Sequence, residues 1–538
     1  MMLAGLLAAS LSAATPVEMT DAVFARWNTA DSPGCSVGIV QDGKVVHQRG
    51  YGMANLEHGI ANTPQTQFYL GSTSKEFTAM AILLLAEQGA LKLEHPIRKW
   101  VPQLPAYMQS ITVRHLLEHS SGIRDYIGLW TLSGPAEDGA LNDAEVYGII
   151  TRQKELNFQP GEEFLYSNSG YYLLNLILRP AAYRQLQDFA KERIFAPLAL
   201  SHTFYYKDRF AILPRRASGY SSDKQGQLRI NSATLDVIGD GGVFTTVEDG
   251  IRWLRILESP PPAHAQAVAQ MKIRATLNGG GMVEYGRGLM LKSHRGLDTW
   301  SHVGGLRGYR SEMLFIPSPK LGVVCLCNTS DADAGRLARQ AADAWLGRVD
   351  EPVVPKLTAA ELQRKAGDYR DKNSGDYLQL GVAQGRLLAM YQGFQLELRP
   401  VTETRFRAES PLYMEIEFEK DTPRFLRVEG EINKLAAFER VKLDRAAPRK
   451  IEEYLGDYVC EEAPSRLSIR LAEGMLTLEQ NDQPIGSLEP MQPDRFRAAT
   501  VNIEFRRDAQ KQITGFRLNT GRVRGLLFQK RVNEPPRP

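Results

Sequence analysis

The sequence predicts a multidomain chain in which a mixed helix-and-strand domain is followed by two similar all-β domains. Three observations carry this. At 538 residues the chain is longer than one hydrophobic core usually organises. The residue pattern breaks at Glu351-Pro352-Val353-Val354-Pro355-Lys356, where two prolines follow a predicted helix over residues 331–347. Beyond that break the tail repeats itself: Ala366-Gly367-Asp368-Tyr369 returns as Leu455-Gly456-Asp457-Tyr458, and Arg405-Phe406-Arg407-Ala408 as Arg495-Phe496-Arg497-Ala498. The expected domains are therefore residues 15–350, 356–444 and 449–533.

The chain opens with MMLAGLLAASLSAATP, an apolar stretch of signal-peptide length ending in small residues. Residues 1–14 are accordingly expected to direct the protein to the periplasm or outside the cell, with a cytoplasmic location as the alternative because no Lys or Arg precedes the apolar run. No other stretch approaches the roughly 20 uninterrupted apolar residues of a membrane span. The composition, 43% hydrophobic and 24% charged, is that of a folded globular chain. A net charge of only +3, with both signs interspersed, offers no bulk attraction for nucleic acid. The expected partner is a small molecule or short peptide. The four cysteines, Cys35, Cys325, Cys327 and Cys460, are too few and scattered for a disulfide framework and read as buried thiols.

Within the first domain the run Phe68-Tyr69-Leu70-Gly71-Ser72-Thr73-Ser74-Lys75 leads into a helix with Phe77, Met80, Ala81, Leu84 and Leu85 on one apolar face and Gly89 as its stop. Ser72 and Lys75, three residues apart at a helix start, point their side chains the same way. Ser72 reads as a nucleophile and Lys75 as its proton acceptor, which requires a desolvated lysine because an ordinary ammonium holds its proton until about pH 10.4. A Ser-x-x-Lys pair arises by chance in a chain this long, so the pair alone proves nothing. A second element, Glu163-Phe164-Leu165-Tyr166-Ser167-Asn168-Ser169-Gly170, presents Tyr166 and Asn168 at a turn before an apolar helix. The Tyr166 hydroxyl suits proton transfer to a leaving group, and the Asn168 carboxamide suits orienting a lysine or a substrate amide. A third, Trp300-Ser301-His302-Val303-Gly304-Gly305, reads as a strand ending in glycines. Its backbone N–H at Gly305 would share an oxyanion with that of Ser72.

Taken in order, these elements resemble the serine β-lactamase and penicillin-binding-protein superfamily, whose pattern is S-x-x-K, then Y-x-N or S-x-N, then K-T-G or H-x-G. The resemblance spans roughly residues 30–345. It includes Glu118-His119-Ser120-Ser121-Gly122-Ile123 and Gly239-Asp240-Gly241-Gly242-Val243-Phe244-Thr245-Thr246. With the repeated tail and the run from His302 to Arg310, the chain is most similar to the D-aminopeptidase branch, of the peptidase S12 type. This implies an α+β catalytic domain, an antiparallel sheet with helices packed on it and the nucleophile helix buried between that sheet and a helical subdomain, and two eight-stranded, lipocalin-like barrels. It also implies an acyl-enzyme reaction on amide or ester bonds without metal or organic cofactor.

His302 stands where the superfamily often has a lysine, and a mostly neutral imidazole attracts a substrate carboxylate less. Efficient β-lactam hydrolysis is therefore not expected, while esterase, weak β-lactamase or DD-peptidase activity remain alternatives. Arg307 and Arg310 are candidate substrate contacts, and Asp482, in the polar turn Gln480-Asn481-Asp482-Gln483, is a candidate for projecting into the cleft from the last domain. Three rival readings are open to these residues. One is a single β-sandwich built from both halves of the tail. Another is zinc held by His115-Leu116-Leu117-Glu118-His119, disfavoured because Ser120-Ser121-Gly122 cuts off the helix and no third ligand is apparent. The last is a non-catalytic binding protein, against which the intact Ser72, Lys75, Tyr166, Asn168 and His302 argue.

Overall fold

The computed structural model describes residues 14–134, 139–232, 236–347, 355–391, 394–408, 414–428, 432–435, 438–446, 448 and 450–531. The expected leader at residues 1–14 thus lies, except for its last residue, outside the described residues, as does most of the predicted linker at residues 351–356.

The first domain is built on a six-stranded antiparallel sheet. In spatial order its strands are Met290–His294, Leu297–Leu306, Tyr309–Ile316, Leu321–Cys327, Cys35–Gln41 and Lys44–Tyr51. The central strands Cys35–Gln41 and Leu321–Cys327 are near-continuous apolar runs because both faces are covered. The helices Pro16–Phe24 and Ala334–Leu346 pack on one face, with Phe24, Val37, Ile39, Val323 and Leu337 in a shared core. Val247–Glu258 crosses the other face. The helix predicted over residues 331–347 starts at Ala334, where Asp333 caps it by accepting the Arg336 N–H.

Cys35 faces Cys327 across two paired strands, and the two form a disulfide. The expectation of four buried thiols is therefore corrected for this pair and holds for Cys325 and Cys460. The partners are 292 residues apart, so only strand pairing reveals the bridge.

The helix Lys75–Glu87 is buried, as the resemblance implies, and more completely than the single apolar face in its sequence suggests: every residue from Lys75 to Leu85 is buried. It runs between the sheet side of the domain and a helical layer that includes Asn168–Ala182 and Ala265–Met271. A helix wrapped on all sides has no polar face to spare. The charged groups at its start are buried with it.

The tail forms two antiparallel, nearly closed barrel sheets rather than one sandwich. Among the described residues each contains nine strands, where the resemblance implies eight. In the second sheet the extra strand comes from one run broken at Leu488 into Gln483–Ser487 and Glu489–Gln492, which form the two ends of the strand order. Such a break lets a strand pair on one side and then the other, bending the sheet toward closure. The repeated aromatics lie in equivalent interiors: Tyr369, Phe406 and Phe418 in the first barrel and Tyr458, Phe496 and Phe505 in the second are all buried.

The first barrel keeps its own core, whereas the apolar core of the second runs on into that of the catalytic domain. Buried ion pairs pin this contact. Arg124, fully buried, donates to Glu462 at 2.7 Å and to the Arg524 carbonyl at 3.0 Å, and Arg524 donates to Glu163 at 2.9 Å. Removing one member of such a pair leaves a buried charge uncompensated, so the docking is geometrically specified.

Candidate active site

Ser72 sits in a 3₁₀ turn, Gly71–Ser74, that runs directly into the buried helix beginning at Lys75. The turn is tied to the sheet by side-chain hydroxyls: Thr73 donates to the His302 carbonyl at 3.0 Å and Ser311 to the Leu70 carbonyl at 2.6 Å. This approach depends on glycine. A Cβ on Gly304 would lie 1.9 Å from the Leu70 carbonyl oxygen, and Gly71, at φ +54°, would place one 2.7 Å from the Gly305 nitrogen. The backbone of Ser72 is thereby held against the end of the strand Leu297–Leu306, and Ser72 and Gly305 line the same cleft of about 520 Å³.

Lys75 is fully buried. Its ammonium donates to Ser72 Oγ at 3.1 Å, Asn168 Oδ1 at 2.8 Å and the Asp240 carbonyl at 2.7 Å, which uses all three of its protons. Burial pulls its pKa down to about 7; the Asp240 and Asp125 carboxylates oppose this and the Arg522 guanidinium reinforces it. The desolvated lysine that the chemistry demands is therefore present. Its counter-charge is held in place as well, since Asp240 Oδ2 accepts the Tyr126 hydroxyl at 2.8 Å.

Asn168, the first residue of the helix Asn168–Ala182, is oriented by Asp125. Asp125 Oδ2 accepts both the backbone N–H of Asn168 at 2.7 Å and its Nδ2 at 2.9 Å. A carboxylate only accepts, so the amide must turn its Oδ1 to Lys75. Tyr166 is buried with its ring 4.9 Å from Lys75 Nζ and 4.2 Å from the His119 ring. Burial raises its hydroxyl pKa, and the hydroxyl of Ser72 works against that rise. His119 Nδ1 accepts the Ser167 N–H at 3.1 Å and so braces the turn carrying Tyr166. The ring is neutral, since burial and then the charge on Lys75 push its pKa well down.

His302 is fully buried behind the cleft. Its Nδ1 lies 2.7 Å from the Val303 carbonyl, which can only accept, so Nδ1 carries the proton and Nε2 accepts the Tyr285 hydroxyl at 3.1 Å. Burial, with help from the charge on Lys75, lowers its pKa to about 3. His302 is thus an uncharged wall residue at neutral pH.

Comparison with known proteins places this arrangement. A family model described as Beta-lactamase matches residues 19–345, more than half of the chain. The chain belongs to the Beta-lactamase family. Within that family it is similar to a D-aminopeptidase of Gluconobacter oxydans, 28% identical over 85% of this chain and 87% of that one. It is also similar to penicillin-binding protein 4* of Bacillus subtilis, 29% identical over 71% and 89%. Among solved structures, the octameric penicillin-binding protein homologue from Pyrococcus abyssi superposes with a TM-score of 0.55 at 26% identity, covering 75% of this chain and 96% of that one. The protein is a serine hydrolase of the β-lactamase fold.

The remaining candidates of this β-lactamase-family chain divide. Arg310 lines the cleft beside Gly305, its guanidinium donating to the carbonyls of Arg307 and Tyr309. Arg307 is not among the lining residues; it donates to the Gly139 carbonyl at 3.1 Å. Asp482 also lies away from the cleft lining. With Asn481 it forms the tip of a two-residue hairpin, both at positive φ, and the neighbouring Gln480 and Asn481 donate to the carbonyls of Leu132 and Gly134. That hairpin docks the second barrel on the catalytic domain without presenting Asp482 to Ser72.

The histidines of the H-x-x-E-H run serve other partners: His115 Nδ1 accepts the Thr112 N–H, Glu118 pairs with Arg287, and His119 braces the Tyr166 turn. Among the described residues, the one group with ligand atoms close enough for a metal is Cys35, Cys325 and Cys327, two of which are consumed by the disulfide.

Sequence reasoning missed Asp125, His119 and Arg522 as parts of the site. His119 and Asp240 lay in segments already singled out by resemblance. Asp125 and Arg522 carried no local signal, because their relevance is set by what folds against them.

Proposed function

We propose that the protein is a D-aminopeptidase-like hydrolase that cleaves amide or ester bonds of short D-residue substrates through an acyl-enzyme on Ser72. The observation that carries this reading is the buried Lys75, whose Nζ is 3.1 Å from Ser72 Oγ and whose charge burial disfavours. Neutral Lys75 takes the Ser72 proton as Oγ attacks the carbonyl carbon. The tetrahedral oxyanion is held by the N–H groups of Ser72 and Gly305, and Tyr166 passes a proton to the departing nitrogen or oxygen. Water then attacks the ester on Ser72, with Lys75 and Tyr166 serving in reverse. Asp333, on the cleft wall at the start of the helix Ala334–Leu346, supplies a carboxylate for a substrate ammonium. His302, neutral, supplies no cation for the carboxylate of a β-lactam, so any preference for that carboxylate has to come from another side chain.

We also infer that the protein is exported. An apolar N-terminal stretch supports this, and so does the Cys35–Cys327 bridge, since such bonds persist in oxidising compartments.

The test is intact mass after treatment with a serine-directed phosphonate. One adduct is expected on the wild-type protein and none on Ser72→Ala. An adduct persisting in that variant, or turnover lost to a chelator while Ser72→Ala remains active, would overturn the mechanism. Rates on matched D- and L-alanine anilides, an ester and a chromogenic cephalosporin rank the substrate classes.

A further inference from the structure

The second barrel contributes one side chain to the cleft lining, Arg522. Resting on the acyl-enzyme reading above, we propose that Arg522 is a specificity-determining residue that binds a carboxylate on the leaving-group half of the substrate.

Arg522 stands at the tip of the hairpin between the strands Ile513–Thr520 and Val523–Lys530. The hairpin is seated by the catalytic domain. The Arg522 carbonyl accepts from Asn157 Nδ2 at 2.9 Å, Asn157 Oδ1 accepts the Arg524 N–H at 2.9 Å, and the buried Arg124 donates to the Arg524 carbonyl. Gly128 makes room for it, since a Cβ there would lie 2.9 Å from the Val523 side chain. A tip held by this many contacts is part of the site's construction rather than a loop that happens to lie near it.

The guanidinium packs over the Tyr166 ring, 4.7 Å from its centroid, and lies 3.9 Å from Asp125 Oδ2. Its side chain is 22% exposed, so it borders the cleft while largely withdrawn from bulk water. Tyr166 is the proton donor to the departing group in the proposed cycle, and Arg522 shares its ring. The positive charge therefore flanks the half of the cleft that the leaving group occupies. His302, neutral and buried, supplies no competing cation, and the nearby Arg310 is turned to the carbonyls of Arg307 and Tyr309. With Asp333 also on the lining, the cleft offers charges of both signs, which suits a short zwitterionic peptide better than an amidated one.

The test compares leaving groups with and without a carboxylate: D-alanyl-D-alanine against its C-terminal amide, and 3-acetoxybenzoate against phenyl acetate. A charge-assisted contact in a partly desolvated cleft should favour the carboxylate about tenfold or more in kcat/KM. In Arg522→Gln the ratio should fall to about one, and in Arg522→Lys it should be intermediate. Because each ratio is taken within one variant, any general change in Lys75 or Tyr166 cancels. A wild-type ratio near one, or an unchanged ratio in Arg522→Gln, overturns the assignment. Loss of the peptide reaction with retention of the ester reaction refutes the peptidase reading while the ester pair still decides Arg522. Should Arg522→Gln not fold, protection of wild-type Ser72 from a fluorophosphonate by benzoate but not benzamide reads the same preference; equal protection refutes it.

Discussion

Lys75 should impose an acid limb on the pH profile of acylation, whose position two substitutions move in opposite directions. An ordinary lysine, at a pKa of about 10.4, is neutral in roughly one molecule in 2,500 at pH 7. At about 7 Lys75 is neutral in about half, so burial makes about a thousandfold more base available. The second-order rate of Ser72 labelling by a fluorophosphonate should then rise about tenfold per pH unit up to pH 7 and level off above it. The Asp240 carboxyl, which burial pushes up and the Lys75 ammonium pulls down, shares this titration with the lysine, so the limb reports the pair; the surrounding rings do not take part. His119 and His302 are held neutral by burial, and Tyr166 and Tyr171, whose rings face the ammonium, are held protonated.

Asp240→Asn removes a negative charge that favours the ammonium, while the Asp240 main-chain carbonyl and the Tyr126 acceptor remain, so the limb should move to lower pH. Arg522→Gln removes a positive charge that disfavours the ammonium, so the limb should move to higher pH. Each shift is expected to be of order one pH unit, about 1.4 kcal/mol. A profile flat from pH 5 to 9, or two variants shifting the same way, would refute the reasoning that a desolvated Lys75 is the base.

Tyr166→Phe should lower turnover about 100-fold in steady-state assays while leaving Ser72 present and the fold intact by circular dichroism, since it removes one proton carrier. Gly304→Ala should abolish activity or folding, because the added methyl meets the Leu70 carbonyl at 1.9 Å; wild-type rates would mean that the turn at Ser72 does not need this approach. Replacing both Cys35 and Cys327 with serine should lower the Tm of thermal unfolding by about 5 °C, as expected when a bridge worth about 3 kcal/mol is removed from a domain of this size.

Much of the architecture was legible in the chain. The repeat of Gly-Asp-Tyr and Arg-Phe-Arg-Ala marked two equivalent β units because equivalent interiors demand equivalent residues, and Tyr369 and Tyr458 are both fully buried. Ser72, Lys75, Tyr166 and Asn168 were legible because their spacing at helix starts is a local property. The burial of the helix Lys75–Glu87 followed from the family resemblance and not from its own residue pattern, since its charged first turn mimics an exposed end.

The order of motifs along the chain determined the family, the candidate nucleophile and base, and the number of domains, since each depends on residues close in sequence or on a repeat within it. Only the tertiary structure decided the Cys35–Cys327 bridge, the orientation of Asn168 by Asp125, and which barrel hairpin reaches the cleft. Asp482 was the candidate by composition, a polar turn flanked by apolar runs. The hairpin that enters carries Arg522, because the packing of Arg124, Asn157 and Gly128 against the second barrel fixes that tip beside Tyr166. Contacts between residues hundreds of positions apart depend on how separately folded units dock, and docking is settled by summed surface complementarity that no local pattern encodes.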